Sequence, residues 1–353
     1  MAGSPKHLIE NPSGSNWPAL GPERDAVSLP LDEDVLSNVL RSVRLTGSLQ
    51  FCFMPSGDWQ TDGVPRMAKL APGAAQTIPF HILVEGRCWM KMEGRDYALE
   101  AGDVVAFPFA SGHQLGAGRE GRLVTPTLDL PPKPWRTLPV LRYGSDRVRV
   151  RLLCGYLQCD ALSFRPLRDA LPTLLHARTA SSNESAWLRA AIAQIVNEVD
   201  APRPGGLSIL ERLTEITFIE LLRQQVANEA DRGPGRRGWL AALADPQLGR
   251  CLALIHGNPG AWSVASLSTA SGLSRSTLAE RFETVLGVSP MRYVRDWRLA
   301  LARVALGTTR KSIAAVAEEA GYGTEAAFNR AFTRAYGVPP AAWRQSARGT
   351  QAR

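Results

Sequence analysis

A chain of 353 residues with 44% hydrophobic content and a formal net charge of +8 exceeds one typical core and is expected to form two or three domains. No apolar run approaches the roughly 18–20 residues that span a bilayer, and residues 1–30 lack the apolar stretch of a secretory signal. A membrane protein is therefore excluded, and the expected location is the cytoplasm. Five scattered cysteines (Cys52, Cys88, Cys154, Cys159 and Cys251) are too few and too irregular for a disulfide framework.

Residues 1–28, rich in Pro, Gly, Ser and Asn without a hydrophobic period, read as a disordered arm. From about residue 45 to 162 short strands are expected, at 80–84, 88–92, 97–99, 104–107, 123–128 and 147–152. In the last, Val148, Val150 and Leu152 alternate with Arg147, Arg149 and Arg151, the period of a half-buried strand. Gly- and Pro-punctuated short strands point to a small barrel or sandwich. Two amphipathic helices follow, one built on Trp187, Leu188, Ile192, Ile195 and Val199, the other on Ile209, Leu213, Ile216, Phe218 and Leu222. They either cap the barrel or pair with a second copy to form a homodimer. Residues 228–238 (NEADRGPGRRG) read as a linker closing a 29–227 sensor domain.

Residues 239–353 hold fourteen Lys and Arg against seven Asp and Glu, so nearly all of the net positive charge sits in the last third, as suits a part that meets a polyanion. The same region repeats itself at about 50 residues: LAERFETVLGVSP from Leu278 aligns with FNRAFTRAYGVPP from Phe328. Upstream the offset drops to 49, matching Gly272 to Gly321, so the one-residue change falls in a turn. Each copy reads as a helix-turn-helix, at 264–286 and 313–336, with Ser274 and Thr324 as N-caps and Gly-Val-x-Pro as the stop. Leu278 with Phe282, and Phe328 with Phe332, are i, i+4 pairs that face the core. Arg275, Ser276, Glu280 and Arg281 in the first copy, and Thr324, Glu325, Asn329, Arg330 and Arg334 in the second, are then the candidate DNA-contacting residues. Between the copies, Val294, Trp297, Leu301 and Val304 form the apolar stripe of a connecting helix whose other faces carry Arg292, Arg295, Arg298 and Arg303. Two units on a stiff connector can enter successive major grooves, about 34 Å apart on one face of B-DNA.

Residues 239–344, with the closing GYGTEAAFNRAFTRAYGVPPAAWR, resemble the DNA-binding domain of AraC/XylS-type transcription regulators. The resemblance implies that the helices starting at Ser274 and Thr324 are recognition helices, that promoter DNA is the partner, and that RNA polymerase is the downstream target, as for an activator. The stretch FHILVEGRCWMKMEGRDYALEAGDVVAFPFASGH resembles the cupin barrel that many such regulators carry. The expected fold class is thus α+β and multidomain: an N-terminal cupin-like β-barrel with flanking helices and a C-terminal all-α double helix-turn-helix domain at 239–345. Against the metal-binding cupin motifs, His81 and Glu85 take ligand positions, Pro79 replaces a histidine, and His113 takes the last position. His81, Glu85 and His113, with Cys154 as a fourth ligand, are the candidate effector or metal site, for a divalent ion such as zinc. The competing reading makes the histidines pocket-lining or hydrogen-bonded core residues.

Cys88, beside Arg87, is the candidate redox thiol, because a neighbouring cation lowers a thiol pKa. Cys154 and Cys159, five apart on one strand, should face opposite ways. The expected function is a non-enzymatic, sequence-specific DNA-binding regulator answering a small molecule, metal or oxidant sensed in the barrel. The alternatives are a cupin-type metal-dependent enzyme fused to a DNA-binding module, and a methyl-accepting DNA-repair regulator, which the lack of a cysteine cluster disfavours.

Overall fold

The computed structural model describes residues 34–41, 45–63, 77–119, 121–144, 150–159, 164–179, 186–231, 235–260 and 262–351. The expected arm at 1–28, residues 147–149 of the last expected strand and residues 232–234 of the expected linker lie outside them.

The N-terminal half builds two sheets from β1 (Leu45–Pro55), β2 (Trp59–Gly63), β3 (Thr77–Glu85), β4 (Arg87–Met92), β5 (Arg95–Glu100), β6 (Val104–Ala106), β7 (His113–Ala117), β8 (Arg122–Leu123), β9 (Val140–Tyr143), β10 (Arg151–Cys159) and β11 (Leu175–Ala177). One sheet runs β11-β6-β3-β10-β1-β9 and the other β5-β4-β7-β2-β8. The expected barrel is thus two facing sheets. Between them lies a core of Phe51, Phe53, Trp59, Leu83, Met90, Leu115, Leu152 and Cys154. The other face of the six-stranded sheet, carrying Ile78, Phe80, Ile82, Leu153 and Leu157, is buried too. That double burial explains why β3 and β10 read as almost continuous apolar runs. Cys154 and Cys159 face opposite sides of β10, one in each core. The expected strand at 123–128 shrinks to β8 and a 3₁₀ turn, Pro126–Leu128, because Pro126 has no N–H to offer a ladder.

Helices α1 (Val35–Arg41), α2 (Arg165–Ala170), α3 (Ala186–Asp200) and α4 (Gly206–Asp231) belong to this half. In α3 and α4 the capping role is realised: Leu188, Ile195, Leu210, Phe218 and Leu222 join the core on the sheet's outer face, while Trp187, Ile209 and Ile216 stay exposed.

The C-terminal third comprises α5 (Trp239–Ala244), α6 (Pro246–Gly257), α7 (Val264–Ser271), α8 (Arg275–Arg281), α9 (Pro290–Thr308), α10 (Ile313–Glu319), α11 (Glu325–Tyr336) and α12 (Pro340–Gln351). The Ser274 hydroxyl accepts from Thr277 N–H and that of Thr324 from Ala327 N–H, so both recognition-type helices start at the expected caps. They differ at the other end. Whereas α11 is α-helical to Tyr336, α8 passes into a π-helical turn over Phe282–Leu286 before closing at Gly287.

The region expected to separate two halves does not interrupt the core. α4 runs to Asp231, Arg236 pairs with Glu229 at 3.2 Å, and Gly238 N–H donates to the Val285 carbonyl at 2.7 Å, within the π turn. One apolar cluster extends from the outer sheet face through α3 and α4 to Leu248, Leu267, Leu278 and Phe282 of the first helix-turn-helix unit. At its centre Phe164, the residue before α2, is enclosed by rings of the C-terminal third: Trp297 at 5.2 Å, Tyr293 at 5.6 Å, His256 at 5.9 Å and Trp239 at 6.3 Å between centroids. Leu306, Val316, Ala320, Phe328 and Phe332 of the second unit form a separate core.

The connecting helix α9 serves both cores and so buries more than the single stripe expected. Tyr293, Val294, Trp297 and Ala300 face the first core, and Leu299, Ala302 and Leu306 the second. Leu301 and Val304 are only half-buried, and Arg303, expected on an outer face, is 6% exposed with its guanidinium 4.2 Å from the Trp343 ring centroid and 5.4 Å from that of Tyr336.

Candidate functional site

Arg275 opens α8, and Arg330 and Arg334 lie on α11; all three are exposed without an ion-pair partner among the described residues. Their helices are fixed from behind by Leu278 and Phe282 in one unit and Phe328 and Phe332 in the other, all fully buried. That leaves long, donor-rich side chains facing outward, Arg275 in the first turn of α8, Arg330 in the middle of α11 and Arg334 in its last turn. Ser276 and Asn329 share these faces, with the Ser276 hydroxyl 2.9 Å from that of Ser274. The Thr324 hydroxyl accepts its capping bond from Ala327 N–H and keeps its O–H as a donor on the exposed surface. Glu280 is exposed in mid-helix, where it can accept from a cytosine amino group. Glu325 occupies the first turn of α11, where a carboxylate stabilises the helix dipole whether or not DNA is present.

Arg281 has a partner within the protein. Its guanidinium holds Asp245 through contacts of 2.9 and 3.0 Å, and Asp245 is itself the N-cap of α6, accepting from Gln247 and Leu248 N–H. Arg281 thus braces α8 against α6 through one terminal nitrogen. Three residues after the buried Leu278, Arg281 stands about 60° from it around the helix, on the flank of the buried face and not on the outward one.

The second candidate site lies between the two sheets. His81 on β3 and His113 on β7 meet Nε2 to Nε2 at 2.9 Å, and His81 Nδ1 meets the Cys154 thiol on β10 at 3.1 Å. His113 Nδ1 lies 3.1 Å from the Ser111 carbonyl, which can only accept. That fixes every proton: His113 donates through Nδ1 and accepts at Nε2 from His81, whose Nδ1 then accepts from Cys154 S–H. Phe107 stacks on His113 with ring centroids 3.7 Å apart and planes 7° from parallel, holding the imidazole in place. Burial drives both histidines towards the neutral form, His113 to about 4 and His81 well below its ordinary value, with His113 itself adding to the shift at His81. Burial likewise raises the Cys154 thiol. Gly63, paired with His113 in the ladder, leaves room for the ring: a Cβ there would lie 2.0 Å from His113 Nε2. A shallow cleft of about 360 Å³, lined by Asp62, Gly63, Lys91, Gly112, His113 and Gln114, leads from this end to solvent.

Glu85 does not join the histidines. A bulge in the β3–β10 ladder, where Leu152 pairs with Leu83 but Arg151 with Glu85, turns the carboxylate to the opposite face, where it lies 3.5 Å from Arg151. There the Asp200 carboxylate raises the pKa of Arg151 above its ordinary value, and the two are joined by two hydrogen bonds. The remaining donors do not converge either: Cys154 and His113 sit on opposite edges of one imidazole, so no single ion meets both without rearrangement. Among the described residues no group of three or more His, Cys, Asp or Glu is placed to hold a metal ion.

Cys88 is likewise corrected as a reactive thiol. Arg87 turns outward to Glu100, at 3.4 Å, while Cys88 points between the sheets, where burial, helped by Asp103, pushes its pKa up to about 12. Adjacent residues on a strand face opposite ways, so the neighbouring cation never reaches the sulfur.

The sequence profile of the cupin family matches residues 34–227, and that of a helix-turn-helix domain matches residues 267–346. The chain is 28% identical over 318 residues to the HTH-type transcriptional regulator AlkR of Acinetobacter baylyi, covering 88% of this chain and 99% of that one. It is 26% identical over 318 residues to the RCS-specific HTH-type transcriptional activator RclR of Escherichia coli, covering 89% and 98%. The solved DNA-binding domain of AdpA in complex with a target DNA is 26% identical over 31% of this chain and 98% of that one, with a TM-score of 0.29. Among the described residues no helix is long and apolar enough to cross a membrane.

Two outcomes are expected from these sites. Arg330→Ala should weaken specific DNA binding by roughly 1–3 kcal/mol, whereas Arg281→Ala should chiefly lower the urea midpoint; the reverse pattern in a binding and denaturation comparison would refute the two roles. Because His113 titrates near 4 when folded but near 6.5 when unfolded, the unfolded chain binds the extra proton between those values, and stability falls as pH is lowered through that window. The contribution of His113 is about 2 kcal/mol between pH 6.5 and 5, so urea midpoints should drop across this range in the native chain and less in His113→Gln. Equal slopes would contradict the buried neutral imidazole.

Proposed function

The chain belongs to the AraC-type transcription regulators that carry a cupin domain ahead of a double helix-turn-helix domain, and we propose that it switches transcription by a signal received at the Cys154–His81–His113 chain. The observation that carries this reading is the chain itself. Three titratable groups, buried and neutral, are joined in a single row of hydrogen bonds whose last member borders a cleft open to solvent. Burying such groups is costly unless each is partnered, so a ligand that competes for one bond disturbs all of them. A small polar effector entering beside His113 fits this arrangement without rearranging the sheets, whereas the Cys154 thiol, buried and raised in pKa, is a poor target for an oxidant. A divalent ion such as zinc would have to replace the bond between His81 and His113.

The output is DNA binding through α8 and α11 at promoters, with RNA polymerase as the downstream partner. The exposed Trp187, Ile209 and Ile216 edge of α3 and α4 is where a second copy would pair. The relatives' names are those of regulators, and no catalytic step is assigned to the sheets.

The test is a reporter placed under a promoter bound by the chain, challenged with metals, oxidants and small acids. His81→Gln with His113→Gln should keep DNA affinity while fixing the output. A double variant that still switches like the native chain would remove this site from the signal path.

A further inference from the structure

The two helix-turn-helix units have separate hydrophobic cores, and the backbone they share is α9, which shows each core a different face. A single helix holds its ends at a fixed distance but resists torsion and bending only modestly, so the angle between the units needs a second constraint. The arginines of α9 differ in what they reach. Arg292 and Arg295 are exposed beside Asp296, and Arg303 lies against Tyr336 and Trp343. Arg298 reaches towards both units. Its Nε donates to the Pro259 carbonyl at 2.6 Å, in the loop between α6 and α7 of the first unit. Its guanidinium also packs against Gly321, the turn of the second unit, so closely that a Cβ there would lie 2.9 Å from one terminal nitrogen and 3.3 Å from the carbon. Gly321 has φ +78°, a conformation that favours glycine independently.

We propose that Arg298 is a positioning residue that fixes the angle between α8 and α11, and thereby selects the spacing of the two half-sites that the chain accepts. This rests on the DNA-binding reading given above. The planar guanidinium is suited to the task, since it is rigid, permanently charged and able to hold a carbonyl on one edge while its face packs against backbone. Adding one base pair between half-sites moves the second by about 3.4 Å and turns it by about 35° around the duplex. A pair of units locked at one angle rejects that change. A pair joined by α9 alone follows it.

The experiment is repeated enrichment of bound duplexes from a random pool by the full chain, followed by sequencing. It reads the two half-site motifs and their spacing separately. The native chain should enrich two motifs at one spacing, and disfavour a one-base-pair insertion by roughly tenfold or more, the size of a typical single mismatch penalty. Arg298→Met, which keeps an unbranched apolar stem but removes the guanidinium, should enrich the same two motifs with the spacing spread over neighbouring values. Gly321→Ala, which displaces the guanidinium from the other side, should spread it likewise. Unchanged motifs at one sharp spacing in both variants would overturn the proposal. So would loss of both motifs together with a lowered melting temperature, which would make Arg298 a folding residue. A native chain that enriches one motif only would overturn the two-unit DNA reading itself, and the proposal with it.

Discussion

Phe164 is supplied by the N-terminal half and enclosed by Trp239, His256, Tyr293 and Trp297 of the DNA-binding third, and the mechanical organisation of the molecule depends on that enclosure. Within it Trp239 Nε1–H donates to the Tyr293 hydroxyl at 2.7 Å, and His256 Nε2 lies 2.7 Å from the same oxygen. Burial holds His256 neutral, its pKa near 3. The first unit is therefore no module on a tether. The π turn after α8 is fastened to Gly238 and its last arginine to Asp245, so the first recognition helix moves with the core it shares with the sheets. The second unit has its own core and is joined to the first through α9 and the contacts of Arg298.

The buried hydrogen-bond row between the sheets has the complementary property. Its members are neutral because the surroundings are apolar, and each is satisfied because the next is in place. Breaking one bond leaves an unpaired polar group in a low-dielectric interior, where the cost is far higher than at a surface. Two of the three strands that carry the row, β3 and β10, place Phe80, Ile82 and Leu153 on their other face, within the cluster that continues to α8. A change on the inner face thus has a packed route to the first recognition helix, since close-packed interiors shift in discrete rearrangements rather than deforming smoothly.

Much of this was legible in the sequence where the determinants are local. Ser274 and Thr324 cap their helices, Gly272, Gly287 and Gly337 close theirs in the left-handed region, and the one-residue offset between the copies falls between Gly321 and Thr324. What the sequence hid depends on contacts between distant segments. Glu85 fits a ligand motif by spacing, yet a single extra residue in the ladder turns it away. Arg281 shares its helix with true surface residues, but Asp245 is brought beside it by the fold. Arg303 looks like a solvated charge until the aromatic rings of α11 and α12 cover it. Phe164 stands two residues before Pro166 at the start of a short helix, and nothing nearby in the sequence marks it as part of another domain's core.

Native-state amide hydrogen exchange, followed residue by residue as denaturant is raised below the unfolding midpoint, tests the shared core most directly. On this account the slowest amides of β3, β10, α6 and α8 converge on one opening free energy, while those of α10 and α11 open at a lower one. Exchange of residues 239–351 as a block, at a free energy independent of the sheets, would contradict it.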